Sequence, residues 1–143
     1  MPALRIILRV SYELRVRFPV DDRVVSGLHR RAFNSRADSV QPWAARLERY
    51  SLTWVGAFDR DALVGFVQVC WDGGSHAFLL DTVVDPDHQR HGVGRDLVLA
   101  ATGEARNAGC EWLHVDFEPH LAGFYLDSCG FHRTDAGLVR LTD

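Results

Sequence analysis

The sequence predicts an α/β fold, more narrowly an α+β mixed sheet flanked by helices, in the order β-α-α-β-β-β-α-β-α-β. Three observations carry this expectation. Apolar residues switch between the two-residue period of strands and the 3.6-residue period of helices, with turn formers at each change. Residues 77–117 form a strand, helix, strand segment, and a crossover of that kind makes a parallel pair. Finally, 143 residues with 47% hydrophobic and 24% charged side chains suit a single packed domain over residues 1–143.

The elements follow in order. Residues 6–16 are rich in β-branched and apolar side chains and read as a first strand, ending near Pro19. Asp21 and Asp22 can cap a helix whose Val24, Val25, Leu28, Ala32 and Phe33 recur at helical spacing. Residues 34–42 are polar and read as a loop, and residues 43–50 as a second helix with Pro42 at its start. Residues 53–58 and 63–71 form a hairpin around a turn at 59–61. The turn Asp72-Gly73-Gly74-Ser75 leads into a third antiparallel strand at 77–84. A helix over 94–108 ends at Gly109. Residues 111–117 read as its parallel partner strand, 121–128 as a last helix ending at Gly130, and 131–141 as a final strand or hairpin.

Bulk properties narrow the function. A formal charge of −3 argues against a general nucleic-acid or anionic-membrane binder, so neither partner is expected. No apolar run approaches the ~20 residues that span a bilayer. The first sixteen residues have charges among their apolar side chains and no small-residue cleavage site, unlike a signal peptide. Cys70, Cys110 and Cys129 form no CxxC pair and no even set, which points to reduced thiols and a cytoplasmic location. The seven histidines show no metal-ligand spacing, and no metal is expected.

The segment 83–98, VVDPDHQRHGVGRDLV, holds the strongest chemical signal. Amides that open a helix lack internal partners and carry the positive end of its dipole, so they bind anions. Gly92 and Gly94 have no Cβ, which lets phosphate oxygens approach the backbone. Arg90, His91 and Arg95 add positive charge at the rim. A diphosphate is therefore a reasonable ligand, set against a helix start that merely contains glycines. No lysine follows to make a Walker loop, and Leu97 stands where a dinucleotide fingerprint needs a third glycine.

In its surroundings, the series Val84, Pro86, Gln89, Gly92, Gly94 resembles the acetyl-coenzyme A loop of the GNAT N-acyltransferase superfamily, whose motif is [QR]-x-x-G-x-[GA] after a V-x-P-like step. The likeness extends to the preceding hairpin, the following helix and the late pairs Phe124-Tyr125 and Gly130-Phe131. The resemblance implies a GNAT-like acyl-CoA N-acyltransferase fold with acetyl-CoA as cosubstrate. Backbone amides from Arg90 through His91, Gly92, Val93 and Gly94 to Arg95 would hold the pyrophosphate, with Gln89 the first residue of this cofactor-binding loop. Val83 and Val84 would run along the pantetheine, with the partner strand splaying away there.

Acyl transfer to an amine needs a neutral amine, a polarised carbonyl and a proton for the departing thiolate. Tyr125 resembles the family tyrosine assigned as that general acid. The usual spacing is Y-x-x-x-G-F, however, and here five positions separate Tyr125 from Gly130. One extra residue turns a helical side chain by about 100°. Asp81, a carboxylate in an apolar strand, is a candidate base, and Glu118 and His120, which follow the other splayed strand, are further candidates. His76 and His114 are weaker ones, because a lone histidine is more often surface or core.

The resemblance places the acceptor beside the first two helices. Arginines at 30, 31 and 36 would suit an acidic acceptor, or form a solvated helix face. The carboxylates would suit a cationic amine instead. Trp43, Trp54, Trp71 and Trp112 are either an aromatic pocket or core. The leading expectation is an N-acetyltransferase acting on a primary amine of a small molecule, peptide or protein, with a homodimer possible. The contrasting one is a non-catalytic acyl-CoA-binding sensor or interaction module.

Overall fold

A computed structural model describes residues 11–36 and 39–143. Five strands form one sheet in the order β1-β2-β3-β4-β5. They are β1 (Glu13–Val16), β2 (Ser51–Asp59), β3 (Ala62–Trp71), β4 (His76–Val84) and β5 (Trp112–His114). The first four pair antiparallel, and β5 joins β4 in parallel across α3 (Val93–Asn107). Helices α1 (Asp22–Ala32) and α2 (Trp43–Tyr50) connect β1 to β2. The mixed α/β fold is as the sequence predicts.

Each face of the sheet buries its own core. Val55, Ala57, Val67, Val69, Ala77 and Leu79 pack with Val93, Leu97, Val98 and Ala101 of α3. On the opposite face, Trp54, Phe58, Phe66 and Val83 pack with Val25 and Leu28 of α1 and with Trp43 and Leu47 of α2. Leu28, Leu47 and Leu97 are fully buried, each contributing on the order of 2 kcal/mol of hydrophobic stabilisation. Asp21 caps α1, its carboxylate accepting from the amides of Arg23 and Val24 at 2.9 and 3.3 Å.

Strand β4 is irregular at the point that matters for function. Phe66 pairs with Val83 and Gln68 with Leu80, so Val67 alone on β3 faces two residues, Asp81 and Thr82, on β4. This is a β-bulge, and its extra residue reverses the facing of everything after it. Ala77 and Leu79 join the α3 core before the bulge, whereas Val83 joins the α1/α2 core after it. Asp81 has φ +59, the left-handed region that side-chain-bearing residues rarely occupy.

Pairing between β4 and β5 covers three steps and stops at Phe78 and His114. The expected strand at 111–117 is thus cut to Trp112–His114. Beyond it the two strands part, and among the described residues no strand pairs with that edge of β4 from Leu79 to Val84.

Three other expectations change. The first strand comprises Glu13–Val16, and residues 6–10 of the expected run lie outside the described residues. The last helix is a 3-10 turn, Pro119–Leu121, followed by a π-helix, Gly123–Ser128. The final strand at 131–141 does not form: this segment is irregular, with Leu138, Val139 and Leu141 at 93%, 77% and 91% exposure. Its short apolar run has no long edge to join, because β5 offers only three residues.

Candidate active site

A cavity of about 690 Å³ opens where β4 parts from β5. One wall is the end of β4, with Thr82, Val83 and Val84, and another is the loop and first turn of α3, with Gln89, Arg90, Gly92, Val93, Gly94 and Arg95. The π-helix closes it with Phe124, Tyr125 and Ser128. Eight of the nine residues expected around the donor thus line one space. His91 is exposed and is not part of the lining.

The loop geometry follows from its residues. Asp85 ends β4, and its side chain accepts from the Asp87 amide at 3.0 Å, starting a 3-10 turn with Pro86 in its first turn. Gln89 donates from Nε2 to the Val84 carbonyl at 3.2 Å, tying the loop back to the strand. Gly92 then caps α3 at φ +82 with no side-chain cap, so side chains leave the amides of the first turn uncovered. A Cβ on Gly94 would stand 3.3 Å from the Phe124 ring and 3.6 Å from the Val84 side chain. Glycine keeps that crossing open. Arg95 donates to the Ser128 carbonyl at 3.1 Å and fixes the π-helix against α3.

This loop is anchored from below. The Asp85 carboxylate receives Arg31 Nε at 2.8 Å, and His88 lies 3.6 Å from it. Burial acts to raise the Asp85 pKa, but the Arg31 and Asp87 donors and His88 outweigh it and hold the carboxyl below its usual range. Arg31 is therefore a structural tie rather than an acceptor-facing cation. On the far side, Tyr12 donates to Asp96 in the first turn of α3. Burial first, then Asp96, pushes that phenol up to about 12.

Tyr125 is 7% exposed, stacked on Phe117 with ring centroids 5.2 Å apart. The π-helix resolves its unusual spacing. The Cys129 amide bonds to the Phe124 carbonyl, five residues back, and the Phe131 amide to the Tyr125 carbonyl, both at 3.0 Å. A wider ring takes up one extra residue inside the helix, so Tyr125 still faces the cavity. Burial raises the Tyr125 pKa, and a hydrogen-bonding contact with Thr82 works against that. The phenol thus keeps its proton throughout the neutral range.

Asp81 and Thr82, neighbours on the bulge, serve opposite sides of the sheet. Thr82 meets Tyr125, and the Asp81 carboxylate meets Gln68 Nε2 on the α1/α2 side. Glu118 is exposed before the 3-10 turn and does not line the cavity, although His120 does. His76 and His114 bond to each other at 2.7 Å across the short β4–β5 pair, and neither lines the cavity. Trp43 and Trp54 are core residues, whereas Trp112 is 62% exposed, so no shared tryptophan pocket exists. Burial pushes the thiols of Cys70 and Cys129 up, which makes them poor nucleophiles. Gln68 and Thr82 escaped the sequence reading. A lone amide in the apolar run of β3 was the available signal for Gln68.

Residues 17–131 match the Acetyltransferase (GNAT) family. No curated protein matches the chain in sequence. Among solved structures, it is similar to a GNAT-family acetyltransferase of Streptococcus pneumoniae, with 26% identity and a TM-score of 0.73, covering 92% of this chain and 98% of that one. A glucosamine-6-phosphate N-acetyltransferase of Arabidopsis thaliana is 14% identical, with a TM-score of 0.76 and coverage of 93% and 99%. An aminoglycoside N-acetyltransferase in complex with CoA is 18% identical, with a TM-score of 0.67 and coverage of 92% and 95%. These last two likenesses are of fold alone. With a glycine-capped helix start beside a split parallel strand pair, and a family match over most of its length, the chain belongs to the GNAT acetyltransferase family.

Proposed function

We propose that the protein is an N-acetyltransferase that moves the acetyl group of acetyl-CoA to a primary amine of a small molecule or peptide. The observation that carries this reading is the single cavity joining the uncovered amides of α3 to the Tyr125 phenol. Val93, Gly94 and Arg95 amides hold the pyrophosphate, with Gln89 and Arg90 at the rim. The free edge of β4 at Val83 and Val84 pairs with the pantetheine amides, as an added strand does.

The acceptor approaches from the α1/α2 side. An alkyl ammonium, with a pKa of about 10, must lose a proton before its nitrogen can attack. Asp81 attracts the cation and takes up that proton. As the new C–N bond forms and the C–S bond breaks, Tyr125 delivers its proton to the departing sulfur. Neither Asp81 nor Glu118 lines the cavity; the place of Asp81 on the bulge, next to the Thr82 that contacts Tyr125, favours it over the exposed Glu118. Structural neighbours that act on glucosamine-6-phosphate and aminoglycosides support a small amine as acceptor.

The test is thiol release from acetyl-CoA with a mixed panel of polyamines, amino sugars, aromatic amines and peptides. Acceptor-dependent thiol release is expected. Tight acetyl-CoA binding with no turnover for any amine class would instead favour the sensor reading.

A further inference from the structure

Strand β3 contains one amide in an apolar run, Gln68, and it is only 5% exposed. It lies opposite Leu80, the last residue of β4 before the bulge. Its carboxamide is engaged at both ends. Oε1 accepts from Ser51 Oγ at 2.6 Å and from Cys70 Sγ at 3.2 Å, and Nε2 donates to Asp81 Oδ2. An ionised carboxylate only accepts, so the amino end of Gln68 must face Asp81. The oxygen then faces the hydroxyl and the thiol, the two available donors. Ser51 and Cys70 thereby fix which way the amide points.

The Asp81 backbone adds a second constraint. Its left-handed φ at the bulge projects the carboxylate toward the α1/α2 side, while Thr82 turns to Tyr125. Strained residues of this kind persist where surrounding contacts hold them. Gln68 is the side chain on the neighbouring strand that supplies such a contact.

We propose that Gln68 is a positioning residue, which acts by holding the Asp81 carboxylate on the α1/α2 side of the bulge, from which the proposed acceptor approaches. This rests on the reading of Asp81 as the base of the proposed acetyltransferase. Loss of Gln68 therefore lowers turnover while leaving acetyl-CoA affinity unchanged, a split that simple loosening of the fold does not produce.

The experiment uses the full chain and three variants, Gln68→Leu, Gln68→Glu and Asp81→Asn. Turnover is followed from about pH 5 to 10 with whichever amine of the panel the parent protein acetylates fastest. Gln68→Leu should lower kcat/KM about 10- to 100-fold, with acetyl-CoA affinity unchanged. Gln68→Glu, which keeps the side-chain volume but removes the amide donor, should lower it at least as far. In the parent, the Gln68 side-chain amide signal in NMR should be displaced by Asp81→Asn.

The outcomes separate the two ideas. If Asp81→Asn loses activity while Gln68→Leu keeps the parental profile, the role of Gln68 is overturned and the proposed function stands. If Asp81→Asn retains parental turnover, Asp81 is not the base and the inference falls with it. The NMR measurement needs no acceptor: a Gln68 amide signal indifferent to Asp81→Asn overturns the proposal by itself.

Discussion

On the proposed donor side of the cleft the recognition elements are backbone: the amides of α3, opened by Gly92 and Gly94, and the edge of β4 beyond its pairing with β5. On the proposed acceptor side they are side chains, with Asp81 on a bulged strand held by Gln68, whose amide oxygen in turn accepts from Ser51. Backbone recognition depends on what is missing, namely Cβ atoms and a neighbouring strand. It tolerates varied side chains at intervening positions such as His91 and Val93. Side-chain recognition depends on what is present, and on its exact register. The first kind leaves a spaced glycine pattern in a sequence, and the second leaves scattered single residues.

The strongest way to break this contrast is to fill the donor side. Gly92→Glu places a carboxylate on a φ +82 residue at the helix start, against both the backbone and the expected anion. Acetyl-CoA affinity measured by calorimetry should fall at least about 100-fold, by repulsion and lost backbone access together. Unchanged affinity would remove the pyrophosphate assignment.

A smaller effect is expected at the junction of the two sides. Tyr125→Phe keeps the ring stacked on Phe117 and removes only the phenol oxygen. We expect kcat to fall about 10- to 100-fold with acetyl-CoA affinity unchanged. Because the phenol pKa lies above its ordinary value of about 10, Tyr125 should cause no decline in the parent rate below that pH. A Tyr125→Phe protein with parental kcat would leave the tyrosine a core residue only.

The smallest effect concerns the anchor below the loop. Asp85 has a lowered folded-state pKa, so its stabilisation is present above its unfolded value of about 3.9 and is lost as pH falls through the folded value. Arg31→Ala should cost about 1 kcal/mol in urea unfolding at pH 7, a figure reduced because the Arg31 side chain is about half-exposed. The variant should also lose less additional stability than the parent between about pH 4 and 2. Equal acid sensitivity in the two proteins would show that Arg31 does not set the Asp85 carboxyl.

Much of the fold was legible because hairpins and helix caps are local. Asp72-Gly73-Gly74-Ser75 and Asp21 act within a few residues of themselves. The loop at Gln89 to Gly94 was legible for the same reason. The bulge was not, since Leu79 to Val84 reads as an unbroken strand until its register with β3 is known. Asp81 drew attention as a carboxylate among apolar neighbours, but its partner Gln68 lies thirteen positions away on another strand. The final strand failed for a related reason. Residues 138–141 have strand-like composition, yet a strand needs an edge, and β5 stops after three residues.

The π-helix has a consequence for how such chains change over time. One residue more than regular winding requires is stored in widened hydrogen-bonded rings between Phe124 and Phe131, so the insertion displaces neither Tyr125 nor the turn at Gly130. By the same geometry, loss of a single residue in this stretch, at exposed Asp127 for instance, should return the helix to regular winding and still deliver the phenol to the cavity. Spacing between a functional residue and a downstream landmark is then a poor guide to kinship. Helical winding works here as a mechanical tolerance, and it hides an insertion that a strict pattern would count as a defect.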